Sequence, residues 1–190
     1  MAKIQIGGAG GAPSNNFIKS LKESCRSDYL IGTSCVPTDL FLADVNERFV
    51  IPPATAPEYS SALFKILEKA KPEFLHVQND YEVQAISRLR TQIQTQGVQL
   101  FLPASLTIDN CIDKNKSYQI WKTAGLQVPK TILLHSPADL ENAFDHLGET
   151  IWIRAIVGAA GQGALPTDNF EFARMWIDRF HGWGNFSAAE

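Results

Sequence analysis

The sequence predicts an α/β protein: an open parallel sheet over residues 1 to about 104, then a smaller α+β unit. Three observations carry this. Apolar strands and amphipathic helices alternate from Lys3 to Leu102, the connections are short enough for right-handed crossovers, and the pattern changes between Pro103 and Asp113.

The elements follow in order. A short alternating strand, Lys3 to Ile6, meets the Gly-rich turn GGAGGAPS at 7 to 14. Pro13 then opens a helix with Phe17, Leu21 and Cys25 on one face. Tyr29 to Gly32 reads as a second strand and Arg48 to Ile51 as a third, closed by Pro52 and Pro53, which have no N–H to give a ladder. From Glu58 to Ala70 the residues Tyr59, Leu63, Ile66, Leu67 and Ala70 recur at helical spacing. The strand FLHV at 74 to 77 runs into QNDYE, and Val83, Ile86, Leu89 and Ile93 mark a helix to about Gln96. Gly97 stops it, and VQLFL begins a further strand.

In the second unit Asp113 is a candidate cap for a helix carrying Tyr118, Trp121 and Ala124 on one side, with Gly125 at its end. VPKTILL at 128 to 134 reads as a strand. Ser136 and Pro137 start a helix with Leu140, Phe144 and Leu147 inward, and Gly148 ends it. IWIRAIV is the next strand. Past a glycine loop, Thr167 or Asp168 can cap a last helix bearing Phe172, Ala173, Trp176, Ile177 and Phe180. The closing HGWGNFSAAE shows no period, and an aromatic end with nothing to pack against suggests the N-terminal piece of something longer. If that exposed hydrophobic end near Trp183 and Phe186 is ordered, it is expected to pair with another copy as a homodimer.

Composition narrows the function classes. Of 190 residues 45% are apolar and 19% charged, which suffices for a real core. A net charge of -3, with no run of Lys or Arg, offers no field for nucleic acid. Three cysteines, Cys25, Cys35 and Cys111, are too scattered for a disulfide framework, and a reducing cytoplasm fits them. No apolar run is long enough for a bilayer, so a soluble, unprocessed protein is expected. His76, His135, His146 and His181 are too widely spaced for a zinc site, and no metal ligand can be assigned.

The most informative stretch is IWIRAIVGAAGQGAL at 151 to 165, an apolar strand holding Arg154 and then glycines at 158, 161 and 163. An unpaired guanidinium in an apolar run is costly, so an anion is its natural partner. A carboxylate elsewhere would serve, but a Gly-rich loop whose N–H groups can approach closely favours phosphate. The candidate set is Lys114, Arg154, Gly158, Ala159, Ala160, Gly161, Gln162 and Gly163. By spacing alone, Lys114 is ordinarily a solvated surface group.

A second constellation is the turn with Gly8, Gly10 and Gly11, together with Asn79 and Asp80 past the end of a sheet strand, where open α/β sheets place ligands. The glycines either tighten the turn or admit a small anion, such as a carboxylate, at the helix N-terminus. Asp80 is equally a helix cap. A nicotinamide cofactor is disfavoured, because Pro13 replaces the third glycine and Thr33 and Ser34 stand where a ribose-binding acid belongs.

The ordered set of Asp113-Lys114, AGLQVPKT at 124 to 131 and WIRAIVGAAGQGAL resembles the start of an ATP-grasp protein. Carbamoyl-phosphate synthase large chains and their relatives look closest, since they too can carry arginine in the strand before the loop. The resemblance implies a pre-ATP-grasp, Rossmann-like domain over 1–104 and the first ATP-grasp subdomain over 105–190. It implies Lys114 and Arg154 on the phosphates of ATP, Gly158 to Gly163 as the lid, and a carboxylate joined to an amine, thiol or similar nucleophile through an acyl-phosphate. It also implies Mg2+, with its ligands in a C-terminal subdomain that lies beyond Glu190, so that this chain alone is expected not to turn over. The reading from another class is a non-catalytic or degenerate small-ligand or nucleotide-binding module.

Overall fold

A computed structural model describes residues 1–24, 27–158, 161–180 and 182–190. Cys25, His181 and the loop residues Ala159 and Ala160 lie outside the described residues. The chain forms two compact units, Met1–Ile108 and Asp109–Glu190.

In the first unit the order is β1 (Lys3–Ile6), α1 (Ala12–Glu23), β2 (Tyr29–Ser34), a 3₁₀ turn at Asp39–Phe41, β3 (Glu47–Val50), α2 (Tyr59–Ala70), β4 (Phe74–His76), α3 (Asp80–Thr95) and β5 (Gln99–Leu100). α4 (Ser105–Ile112) follows. The sheet is parallel throughout, in the order β3-β2-β1-β4-β5. Strand alternation divides the core into two layers. Ile4, Ile6 and Leu30 pack with Ile18 of α1, while Ile31 and Leu75 pack with Leu63, Ile66 and Leu67 of α2 and Ile86 and Ile93 of α3. All five residues of the face read on α2 are buried.

Two readings change with the structure. α3 is capped by Asn79, whose backbone is extended and whose side chain accepts from the Glu82 amide; Asp80 is the first helical residue and is exposed. The strand read as VQLFL keeps only two residues in the sheet, and Phe101 beyond them is 88% exposed. α4 had no signal, because Ile108 is its one buried residue and no apolar stripe is written along it.

The second unit contains α5 (Lys114–Thr123), β6 (Thr131–Leu134), α6 (Pro137–Leu147), β7 (Ile151–Ala155), β8 (Leu165–Thr167), α7 (Phe170–Phe180) and β9 (Phe186–Ala189). Its antiparallel sheet runs β6-β9-β7-β8. Leu134, Ile153, Ala155, Phe186 and Ala188 face Leu140 and Ala143 of α6 and Ala173 and Ile177 of α7. Ser136 caps α6 as its sequence position predicts, its side chain accepting from the Asp139 amide.

The C-terminal segment overturns its reading. Residues 186–189 form an inner strand, paired on both sides, and Phe186 is fully buried. The exposed aromatic end that would have joined two copies is therefore core: Phe186 sits inside it and Trp183 packs against it. β8 was likewise unread, being three residues with Pro166 at a sheet edge. α7 is preceded by Asn169, whose side chain accepts from the Phe172 amide, so neither Thr167 nor Asp168 caps it. Trp121 and Trp152, read as core or subdomain contacts, are 52% and 47% exposed, and α5 buries only Tyr118. Among the described residues no helix is long and apolar enough to cross a membrane.

Candidate functional site

β7 alternates strictly, so Ile151, Ile153 and Ala155 enter the core while Trp152 and Arg154 take the opposite face. Arg154 pairs in register with Ser187 of β9. Its Nε is buried and has no hydrogen-bond partner, and among the described residues no carboxylate pairs with it. A buried guanidinium N–H without an acceptor is a standing cost that a bound anion removes.

The loop after β7 is tied at its base. Ala155 N donates to Gly163 O (3.2 Å), Ala164 N to Gly161 O (3.0 Å) and Ile156 N to Asn185 O (2.8 Å). Gly163 has φ +72°, and a Cβ there would lie 3.0 Å from the Ala155 Cβ and 3.6 Å from the Phe186 ring. Only glycine lets the loop return so close to the core.

Lys114 is brought to this loop. Asp113 caps α5 by accepting from the amides of Asn115 (2.9 Å) and Lys116 (3.0 Å), which orients the helix start. The Lys114 amide then donates to Ile156 O (3.0 Å), and its ammonium donates to Gly158 O (2.6 Å) and Ile156 O (3.5 Å). Gln162 is exposed.

In the first unit the strand order reverses between β1 and β4, and ligands of open α/β sheets bind at such a switch point. Gly7 N donates to His76 O (2.9 Å) and Ala9 N to Thr33 O (2.9 Å), so the turn is sewn to β4 and β2. Gly10 has φ +97°, and a Cβ there would lie 2.0 Å from Asp39 O, a backbone contact that admits no side chain. Gly11 starts α1 in an extended conformation with no side-chain cap, leaving amides for a ligand or solvent.

The turn meets Asn79, but it is Glu82, which sequence reasoning missed, that lies beneath it. A Cβ on Gly8 would be 3.3 Å from Asn79 Nδ2, and one on Gly7 would be 2.6 Å from Glu82 Oε2. Glu82 is 6% exposed, and its carboxylate accepts from the Asn79 side-chain amide and from the Tyr59 hydroxyl (3.3 Å). Burial pushes the Glu82 carboxyl above its usual range, against the opposing pull of the Asn79 and Tyr59 hydrogen bonds. Burial, followed by the charge of Glu82, also raises the Tyr59 phenol. His76 stacks on Phe17 with ring centroids 3.8 Å apart, and burial lowers its pKa. Asn79-x-x-Glu82 is the spacing of a capping box, and that was the signal to follow.

The sequence matches no family model and no curated protein. Solved structures do match over its whole length. The N5-carboxyaminoimidazole synthetase of Staphylococcus aureus, complexed with ADP, superposes with a TM-score of 0.74 at 16% identity, covering 100% of this chain and 47% of that one. The biotin carboxylase domain dimer of Hydrogenobacter thermophilus 2-oxoglutarate carboxylase, in complex with MgADP, ADP and bicarbonate, gives 0.67 at 16% identity, covering 100% and 44%. The L-amino acid ligase of Bacillus licheniformis gives 0.68 at 14% identity, again covering 100% and 44%. All three are ATP-grasp enzymes. The chain has the fold of an ATP-grasp N-terminal part. It spans less than half the length of each of these structures.

The ATP-grasp fold raises the question of a metal. Among the described residues no three His, Cys, Asp or Glu side chains gather where they could hold a metal ion. Polyphosphate is a different case: the orphaned Arg154 Nε and the Gly-rich loop suit an anion.

Proposed function

We propose that this chain is the phosphate-holding N-terminal part of an ATP-dependent carboxylate ligase, with a carbamoyl-phosphate-synthase-like arginine in β7. The observation that carries the reading is Arg154 Nε, buried without an acceptor on the face of β7 opposite the core of α6 and α7, four residues before the first loop glycine. Residues 1–104 are the pre-ATP-grasp domain and 105–190 the first ATP-grasp subdomain. Arg154 and Lys114 hold the phosphates, and Gly158, Gly161 and Gly163 let loop amides approach them. ATP supplies the phosphoryl group that activates a carboxylate for attack by an amine or similar nucleophile. Fixed cations and backbone donors oppose the charge that develops on that group and keep water away from it.

The Gly8, Gly10 and Gly11 turn, with Asn79, Asp80 and the buried Glu82, is the proposed station of the small carboxylate substrate. Open amides at the start of α1 suit its anionic end. These 190 residues span under half of the neighbours' length, and we read them as the ligand-holding share of that ligase. A cytoplasmic protein without a nucleic-acid partner accords with the charge and cysteine usage.

Titration calorimetry of ATP at millimolar concentration tests this. A hydrogen bond to a charged group is worth about 1.5–3 kcal/mol, so Arg154→Ala is expected to weaken binding about 10- to 100-fold. Equal binding by both proteins would contradict the assignment of Arg154.

A further inference from the structure

We infer that Lys114 is a latch on the glycine loop, and that polyphosphate competes with the loop backbone for it; this rests on the phosphate reading of the site. By its place in the sequence Lys114 is one more cation, but in the structure its ammonium is already engaged. It donates to Gly158 O at 2.6 Å and reaches Ile156 O at 3.5 Å, while its own amide donates to Ile156 O at 3.0 Å. One residue at the start of α5 thus holds two carbonyls of the chain leaving β7. The opposite limb is held by Gly163 O, which accepts from the Ala155 amide. The limb leaving β7 is thus held at Ile156 by backbone bonds to Asn185 and Lys114, and at Gly158 by a side chain that an anion can take away.

The exchange follows from acceptor strength. A neutral carbonyl against an ammonium makes one charge-assisted bond, whereas a phosphate oxygen supplies charge on both sides and binds more strongly in the same geometry. An entering polyphosphate draws the ammonium off Gly158 O. That carbonyl, at a glycine with φ +153°, is then free to turn. Nucleotide occupancy and the conformation of the β7 limb become linked through one side chain. Lys114 is in this sense a positioning residue as well as a phosphate ligand.

The test is NMR on the full chain, with Lys114→Met, which keeps the stem and removes the donors, and with inorganic tripolyphosphate as the probe. The Gly158 carbonyl carbon reports its hydrogen bond. In ligand-free Lys114→Met its resonance is expected to move upfield, and exchange at the Ile156 amide to speed up about tenfold or more. Tripolyphosphate added to the wild type is expected to move the same carbon in the same direction, saturably, and to leave it still in Lys114→Met. An unmoved carbon in ligand-free Lys114→Met would overturn the latch. A wild-type carbon that stays put while the Lys114 ammonium signal shifts would overturn the competition, since the lysine then serves both acceptors at once. If tripolyphosphate moves neither signal although Lys114→Met moves the carbon, the phosphate reading itself fails and Lys114 is only a strut. A Lys114→Met chain that does not fold leaves the wild-type titration to decide.

Discussion

Phe186→Ala is the most exacting perturbation of the second unit. Phe186 is fully buried in β9, between Leu134 of β6 and Ala155 of β7, and its ring reaches within 3.6 Å of where a Gly163 Cβ would stand. Truncating a buried phenylalanine costs about 3–5 kcal/mol, the removed transfer energy plus the cavity left behind. A unit of some eighty residues has a total stability of roughly 4–12 kcal/mol, so the loss is about a quarter of it or more. At about 4–8 °C for each kcal/mol in a unit of this size, the midpoint is expected to fall by at least about 12 °C. The assay is selective, because all four tryptophans, Trp121, Trp152, Trp176 and Trp183, lie in this unit. Their fluorescence in a urea or thermal melt follows it alone. Leu126→Ala, at a side chain 57% exposed, is the control and is expected to cost under about 1 kcal/mol. If Phe186→Ala is as mild as Leu126→Ala, the C-terminal segment is not the inner strand and the order β6-β9-β7-β8 is wrong.

Two pH limbs are expected in the stability of the first unit. The native Glu82 carboxyl, its pKa raised by burial, keeps a proton that the unfolded chain gives up, so stability falls as pH rises from about 4.5 through the raised value. Urea melts followed by far-UV circular dichroism should show a smaller fall in Glu82→Gln; matching slopes would mean that Glu82 is not desolvated in the native state. His76 acts on the other side: burial favours its neutral form, and stability is lost as pH drops below about 6.5. His76→Phe should flatten that acid limb, and an unchanged limb would place the imidazole in solvent.

Much of the first unit was legible because its helices must each bury a stripe against a two-faced sheet. Tyr59, Leu63, Ile66, Leu67 and Ala70 announce α2 by spacing alone, and every one is buried. β7 was legible for the same reason, with period two placing Arg154 opposite the core. β9 was not. Phe186, Ser187, Ala188 and Ala189 are too few to show a period, and small residues carry little hydropathy although they suit a strand packed on both faces. Register there is set by partners distant in sequence, Thr131 to Leu134 and Trp152 to Ala155, which no local window contains.

The candidate site divides in the same way. Glycines at 158, 161 and 163 were legible because positive φ demands them, and each has it. Glu82 was hidden behind its neighbour: QNDYE drew attention to Asp80 as a charge near the strand end, but Asn79 takes the cap and swings Glu82 under the glycine turn. The bonds from Lys114 to the loop were hidden as well, since they join positions more than forty residues apart.

The central claim is that the loop after β7, with Arg154, receives the phosphates of a nucleotide. Amide chemical-shift mapping with ADP on the isotopically labelled chain tests it most directly. Saturable shifts are expected at Arg154 to Gly158 and Gly161 to Gly163, together with the Arg154 Nε–H. Shifts confined to the Gly7 to Gly11 turn, or none at millimolar ADP, would contradict it.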